Sequence, residues 1–130
     1  METRDTHVLE LRGDSFGINN NQSSAEEVFQ NTILRPILKI QNDLLIQVFI
    51  NYAKKQKNVF FSLSPEKKIS YIENVIQRDI KFRNALKGMI IALFTLKEYD
   101  QYIQLSSNLN KRMMNMLVER LKSQVQLIEE

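Results

Sequence analysis

The sequence predicts an all-α protein: a bundle of four to five helices with a long C-terminal helix and a weakly ordered N-terminal leader. Three observations point there. The 130 residues include only three glycines and two prolines, too little turn material for the many chain reversals of an all-β fold. Leu, Ile, Lys, Gln, Glu and Asn dominate, and the first five serve well in helices. Apolar residues recur at three- and four-residue spacing, the period of a buried helical stripe. The length suits one domain, divided here into a flexible leader over 1–22 and a helical domain over 23–130.

Taken in order, the leader holds one strand-like run, Val8-Leu9-Glu10-Leu11, which Gly13, Gly17 and Asn19 to Asn21 interrupt. Ser23-x-x-Glu26 and Ser24-x-x-Glu27 both fit a capping box, so a first helix is expected to start there and run to about Leu34. Pro36 lacks an amide hydrogen and disfavours helical geometry at Arg35, which predicts a break or sharp kink. A second helix from Pro36 to about Gln56 buries Ile37, Leu38, Leu44, Leu45, Val48, Phe49 and Tyr52. Val59-Phe60-Phe61-Ser62-Leu63 is expected to tuck against the core. Ser64-Pro65-Glu66 is a strong helix start, combining a hydroxyl cap, proline in the first turn and a carboxylate at the positive end of the dipole. That third helix buries Ile69, Ile72, Val75 and Ile76. Asp79 is placed to cap a fourth helix running to Phe94, with Phe82, Leu86, Met89, Ile90 and Leu93 inward. Gly88 inside it suggests close approach by a neighbouring helix, since glycine there costs up to ~1 kcal/mol relative to alanine. Thr95-Leu96-Lys97-Glu98 is a further capping box. One helix is expected from there to Gln126, with Tyr99, Tyr102, Ile103, Leu109, Met113, Met116, Leu117, Leu121 and Val125 along its stripe.

Composition excludes several function classes. With no cysteine, disulfide frameworks, thiolate catalysis and zinc–thiolate sites are out. The single histidine, His7, leaves no two-histidine metal site and no well-supported Ser–His couple. The glycines are isolated, so there is no phosphate-cradling loop. The carboxylates Asp43, Glu73, Asp79, Glu98 and Asp100 lie on helices, where solvated surface is the commoner role. No catalytic residue, metal site or cofactor is therefore expected. The N-terminus has no signal-peptide core, and the apolar run Met89–Phe94 is far short of the ~20 residues of a membrane span. A soluble cytoplasmic protein with no membrane insertion is expected.

The net charge of +3 hides an asymmetry: −4 over residues 1–30, +7 over 31–95 and zero over 96–130. Lys54, Lys55, Lys57, Arg78, Lys81 and Lys87 are candidate anion-binding residues within the basic middle, with Tyr52, Phe60, Phe61 and Tyr71 interleaved. Cations near stacking rings suit nucleic acid; a solvated basic face is the plainer alternative. Asn and Arg residues embedded in apolar helix sequence form a second constellation: Asn42, Asp43, Arg83, Asn84, Arg112 and Asn115. Buried amides must be satisfied, so an interhelical network is expected, with Arg83 or Arg112 linked to Asp43 or Glu73. It reads either as a register-fixing device or as a pocket for a small anion. A third constellation is apolar. Met89, Ile91, Phe94, Met113, Met114 and Met116 are candidates for a docking surface or dimer face, because Met adapts to varied partners and a helix apolar all round must be covered.

Thr32-Ile-Leu-Arg-Pro-Ile-Leu-Lys-Ile-Gln-Asn-Asp-Leu-Leu45, Tyr71-Ile-Glu-Asn74, Asp79-Ile-Lys-Phe-Arg-Asn84 and Leu109-Asn-Lys-Arg-Met-Met-Asn-Met116 resemble a family of short uncharacterised bacterial proteins, some labelled "glyoxalase". The resemblance covers about residues 24–125 and implies no catalytic residue. Common glyoxalases use βαβββ units and His/Glu metal ligands, whereas this chain has a helical pattern and one histidine. The leading expectation is a non-catalytic interaction or assembly module, most simply a homodimer. A small nucleic-acid-binding protein is the second expectation, and an enzyme or small-anion binder on the Arg/Asn constellation the third.

Overall fold

The computed structural model describes residues 2–13 and 24–129, and every regular element among them is helical. In chain order these are α1 (Glu2–Arg12), α2 (Ala25–Phe29), a π-helical turn (Gln30–Leu34), α3 (Arg35–Lys55), a 3-10 turn (Val59–Ser62), α4 (Pro65–Arg78), α5 (Ile80–Ile91), α6 (Leu96–Gln104), α7 (Ser106–Ser123) and a last 3-10 turn (Val125–Leu127). No helix among the described residues is long and apolar enough to cross a membrane.

The helix starts follow from local chemistry. Ser24 Oγ accepts from the Glu27 amide and Ser64 Oγ from the Lys67 amide, each occupying a donor that helix geometry leaves open. Asp79 separates α4 from α5 and accepts from the Phe82 amide at 3.1 Å. Thr95 and Glu98 form a complete capping box: Thr95 Oγ1 accepts from the Glu98 amide, and Glu98 Oε1 from the Thr95 amide. The alternative cap, Ser23, lies outside the described residues.

Pro36 does not break the chain. Leu34 and Arg35 both keep right-handed helical angles, and residues 25–55 form one helical rod with a π turn inside it. The wide turn is the physical accommodation. Proline has no amide hydrogen and its ring crowds the carbonyl four residues back. The Arg35 amide instead reaches back five residues to the Gln30 carbonyl. At its other end α3 closes on Lys57 and Asn58, both left-handed (φ 65° and 61°), which turns the chain sharply into the Phe60 anchor.

The core has one contiguous set of apolar residues. Phe49 is its aromatic hub, lying 5.3 to 6.3 Å from the rings of Tyr52, Phe60, Tyr71 and Phe82. Ile72 and Ile76 of α4, Leu86 and Ile90 of α5, and Leu109, Met113 and Leu117 of α7 are each fully or almost fully buried with it.

Five further expectations need correction. Residues 2–12 of the expected flexible leader form a helix, not a loose segment or a strand, and that helix is docked. Arg4 donates to the carbonyls of Phe94 and Ala92, and Arg12 to that of Leu93, while Asp5 accepts from the Leu96 amide at 3.2 Å. These are groups left open where one helix ends and the next begins. Second, the long C-terminal helix is divided at Leu105, which leaves helical geometry (φ −125°, ψ 24°). The Ser106-Ser107-Asn108 run that follows competes for backbone hydrogen bonds and makes this the weakest point of the stretch. Tyr99 and Ile103 turn outward while Tyr102 is buried, so over α6 the expected inward stripe holds only at Tyr102. Third, α5 ends at Ile91 and not at Phe94. Fourth, Gly88 marks no close approach: a methyl group built there meets nothing within 4 Å. Leu44, expected inward, is about half exposed (53%).

Candidate functional site

The polar residues converge along α7. On one side, α7 faces the rod of α2, the π turn and α3 across a groove of about 1040 Å³, bordered by Arg35, Lys111, Arg112 and Arg120 together with Glu26 and Glu119. On its other side, α7 faces α5 across a cavity of about 480 Å³ bordered by Arg83, Lys87 and Lys111, with no carboxylate from the described residues on its walls. Lys111 and Asn115 border both, so α7 is the divide between them.

Three guanidiniums in the larger groove share one mode of support. Arg112 donates to Gln30 Oε1 at 2.7 Å, Arg35 to Asn31 Oδ1 at 3.1 Å, and Arg120 to Asn42 Oδ1 at 3.2 Å. Each acceptor is a neutral amide on the α2–α3 rod. A guanidinium has five N–H donors, so one amide orients it while leaving its charge and most of its donors available. None of the three makes an ion pair among the described residues. Burial, and then the positive charge of Arg35, lower the Arg120 pKa from its ordinary value. A reciprocal amide pair fixes the far end: Asn42 Nδ2 donates to Gln124 Oε1 at 2.7 Å, and Gln124 Nε2 to Asn42 Oδ1 at 2.6 Å.

No family model, curated protein or solved structure matches the chain.

The expected constellations are partly reassembled. Asn42, Arg112 and Asn115 come together at the larger groove, while Arg83, Asn84 and Asn115 border the smaller one. The expected links from Arg83 or Arg112 to Asp43 or Glu73 do not form. Arg83 donates to the Gln77 carbonyl, Glu73 pairs with Lys122 at 3.0 Å, and exposed Asp43 meets only the neighbouring Asn42 amide. The apolar docking surface is corrected as well. Phe94 and Met113 lie in the core, 2% and 0% exposed, and Met89, Ile91, Met114 and Met116 are partly buried against it.

The cation set of the basic middle is dispersed. Lys87 borders the α5–α7 cavity, and Lys54, Lys55 and Lys57 are exposed at the end of α3. Arg78 and Lys81 border a shallow cavity of about 640 Å³ at the α4–α5 junction, beside Tyr52, Tyr71 and Asp79. There the Tyr52 hydroxyl donates to Asp79 Oδ2 at 2.7 Å, and its ring stacks on Phe82 at 4.0 Å. Burial first and Asp79 second raise the Tyr52 pKa, and the same hydrogen bond lowers that of Asp79. This pair carries one proton in a fixed place and ties α3 to the start of α5.

Sequence reasoning does not single out Gln30, Arg35, Arg120 or Gln124. One signal was available: Arg112, Arg120 and Gln124 stand eight and four residues apart, on one face of a helix. The π turn that brings Gln30 to Arg112 has no such signal.

Proposed function

We propose that the protein is a non-catalytic binding module for an anionic partner, seated along α7. One observation carries this reading: Arg35, Arg112 and Arg120 are each oriented by a neutral amide at the larger groove, with no carboxylate neutralising them among the described residues. Keeping like charges together lowers stability, and a bound anion would relieve that cost. The non-catalytic part of the proposal rests on the residue types at the grooves, which are mostly amides and cations, with Glu26, Glu119 and Ser123 at the larger one and no histidine or cysteine among the described lining residues. A helical bundle in the cytoplasm, related to the short bacterial family, is the setting proposed with it.

Thermal melting with inorganic tripolyphosphate in low-salt buffer tests the reading. Wild-type protein should melt at a higher temperature as tripolyphosphate is added, and Arg35→Gln/Arg120→Gln should lose most of that rise. Equal rises in both proteins, or none in either, would overturn it.

A protein–protein contact is a second reading, favoured by a different observation. Leu96, Tyr99 and Ile103 are 45%, 47% and 51% exposed and fall on one face of α6 at spacings of three and four residues. For a homodimer built on that face, light scattering at two concentrations should show mass rising with concentration, and Tyr99→Glu should abolish the rise.

A further inference from the structure

The grooves on the two sides of α7 share a wall, and that wall carries its own side chains. Asn108, Lys111 and Asn115 are all exposed and stand three and four residues apart, so they form a ridge along the N-terminal half of α7. Arg112 and Arg35 lie to one side of the ridge, and Arg83 and Lys87 to the other. A single small anion would need one cluster of cations, but here they flank a helix on both sides.

We propose that this face binds double-stranded DNA in its B form, with the α7 ridge turned toward the major groove and a phosphate strand on each side. The proposal rests on the anion-binding reading above and names its partner. Four arguments favour a B-form duplex. The major groove is about 12 Å wide and admits one α-helix. Asn side chains on the ridge carry the paired donor and acceptor that adenine edges match, while the flanking cations carry no sequence information and set position. Among the described residues no aromatic side chain borders either cavity, which disfavours single strands, whose non-specific binding relies on base stacking. Duplex RNA is disfavoured because its major groove is too deep and narrow for side chains to read. Glu119 follows the ridge on α7 and Glu26 borders the larger groove. Glu119 would repel phosphate beyond the ridge, whereas Glu26 stands one turn before the Gln30 that meets Arg112, beside the N-terminal half of α7, and offsets part of the cation charge there.

Fluorescence anisotropy of the full chain with a labelled duplex DNA, a duplex RNA, a single strand and polyglutamate, over a salt series, tests the proposal. Duplex DNA should bind tightest, with an affinity that falls steeply with salt, by about 0.9 in log–log slope per phosphate neutralised. Arg83→Ala/Lys87→Ala, on partly exposed positions, should shallow that slope by about 2. Arg112→Ala should shallow it by about 1 from the opposite side. Asn115→Ala should weaken binding and leave the slope unchanged. The proposal is overturned if duplex RNA, single strand or polyglutamate binds as well as duplex DNA, or if Arg83→Ala/Lys87→Ala leaves the slope untouched. Stabilisation by tripolyphosphate without any duplex binding would overturn the DNA assignment alone and leave the anion-binding reading standing. Absence of both would overturn both.

Discussion

Phe49 shows how much one side chain contributes to this fold. It is fully buried and touches aromatic rings from α3, the first 3-10 turn, α4 and α5. Truncation leaves a cavity lined by rings that cannot collapse together, so Phe49→Ala should cost about 3–5 kcal/mol in chemical denaturation. The Tyr52–Asp79 pair predicts a pH dependence. The Asp79 pKa is held below its ordinary 3.8, so its contribution is present above that value and is lost as pH falls through the lower folded value. Tyr52 is raised above 10.0, so its contribution is present below that pH and fades as pH rises further. Urea melts across pH should show Asp79→Asn with a flatter acid limb than wild type. Its alkaline limb should change less, because burial, the larger cause of the Tyr52 shift, remains. Asp79 as a helix cap was legible from the sequence, since an acidic residue before an apolar periodic run has a local mechanism. Its bond to Tyr52, 27 residues away, had none.

Among the elements, α1 is held mainly at one corner. Arg12 forms a two-pronged pair with Glu98, with a second contact at 3.0 Å, and its side chain is only 5% exposed. The same carboxylate closes the capping box of α6, so one acidic group serves two helices. An isolated helix of 11 residues is marginal in water, and α1 depends on this contact. Arg12→Ala should release α1: amide exchange over residues 2–12 should approach that of an unfolded peptide, while α3 and α4 keep their protection. Protection of α1 in that variant would show that buried Val8 and the Arg4 and Asp5 contacts suffice. The helical nature of α1 was not legible, because its stabilising partners lie some 80 to 90 positions away. By contrast, the starts of α2, α4, α5 and α6 were legible, because each rests on residues within four positions of one another.

For the molecule as a whole, 18 basic residues against 15 acidic ones matter less than their placement. Charge gathered along α7 makes the fold sensitive to ionic strength. Raising salt from 10 to 150 mM shortens the screening length from about 30 to about 8 Å. Repulsion among the groove cations should then fall, and the melting temperature should rise with sodium chloride in wild type and less in Arg35→Gln/Arg120→Gln. The all-α class was legible because periodicity and scarce turn residues act along the whole chain. The candidate site was legible only in part. Arg112, Asn115 and Arg83 stood out as polar residues in apolar surroundings, but Arg35 and Gln30 gain their meaning from contacts across helices. The apolar surface was misread for the same reason: periodicity shows that a face is covered, not whether the same chain covers it.

The π turn ahead of Pro36 has a consequence for phase. It places one more residue in that turn than an α-helix would, and each residue of an α-helix turns the chain by about 100°. Deleting one residue between Gln30 and Leu34 would therefore leave a rod of similar length but rotate α2 about its own axis against everything it now faces. Phe29 would swing off the edge of the Phe94 ring, now 5.4 Å away, and Glu26 would leave the rim of the groove. One inserted residue thus sets the angular alignment between the capped start of the rod and the charged face of α7.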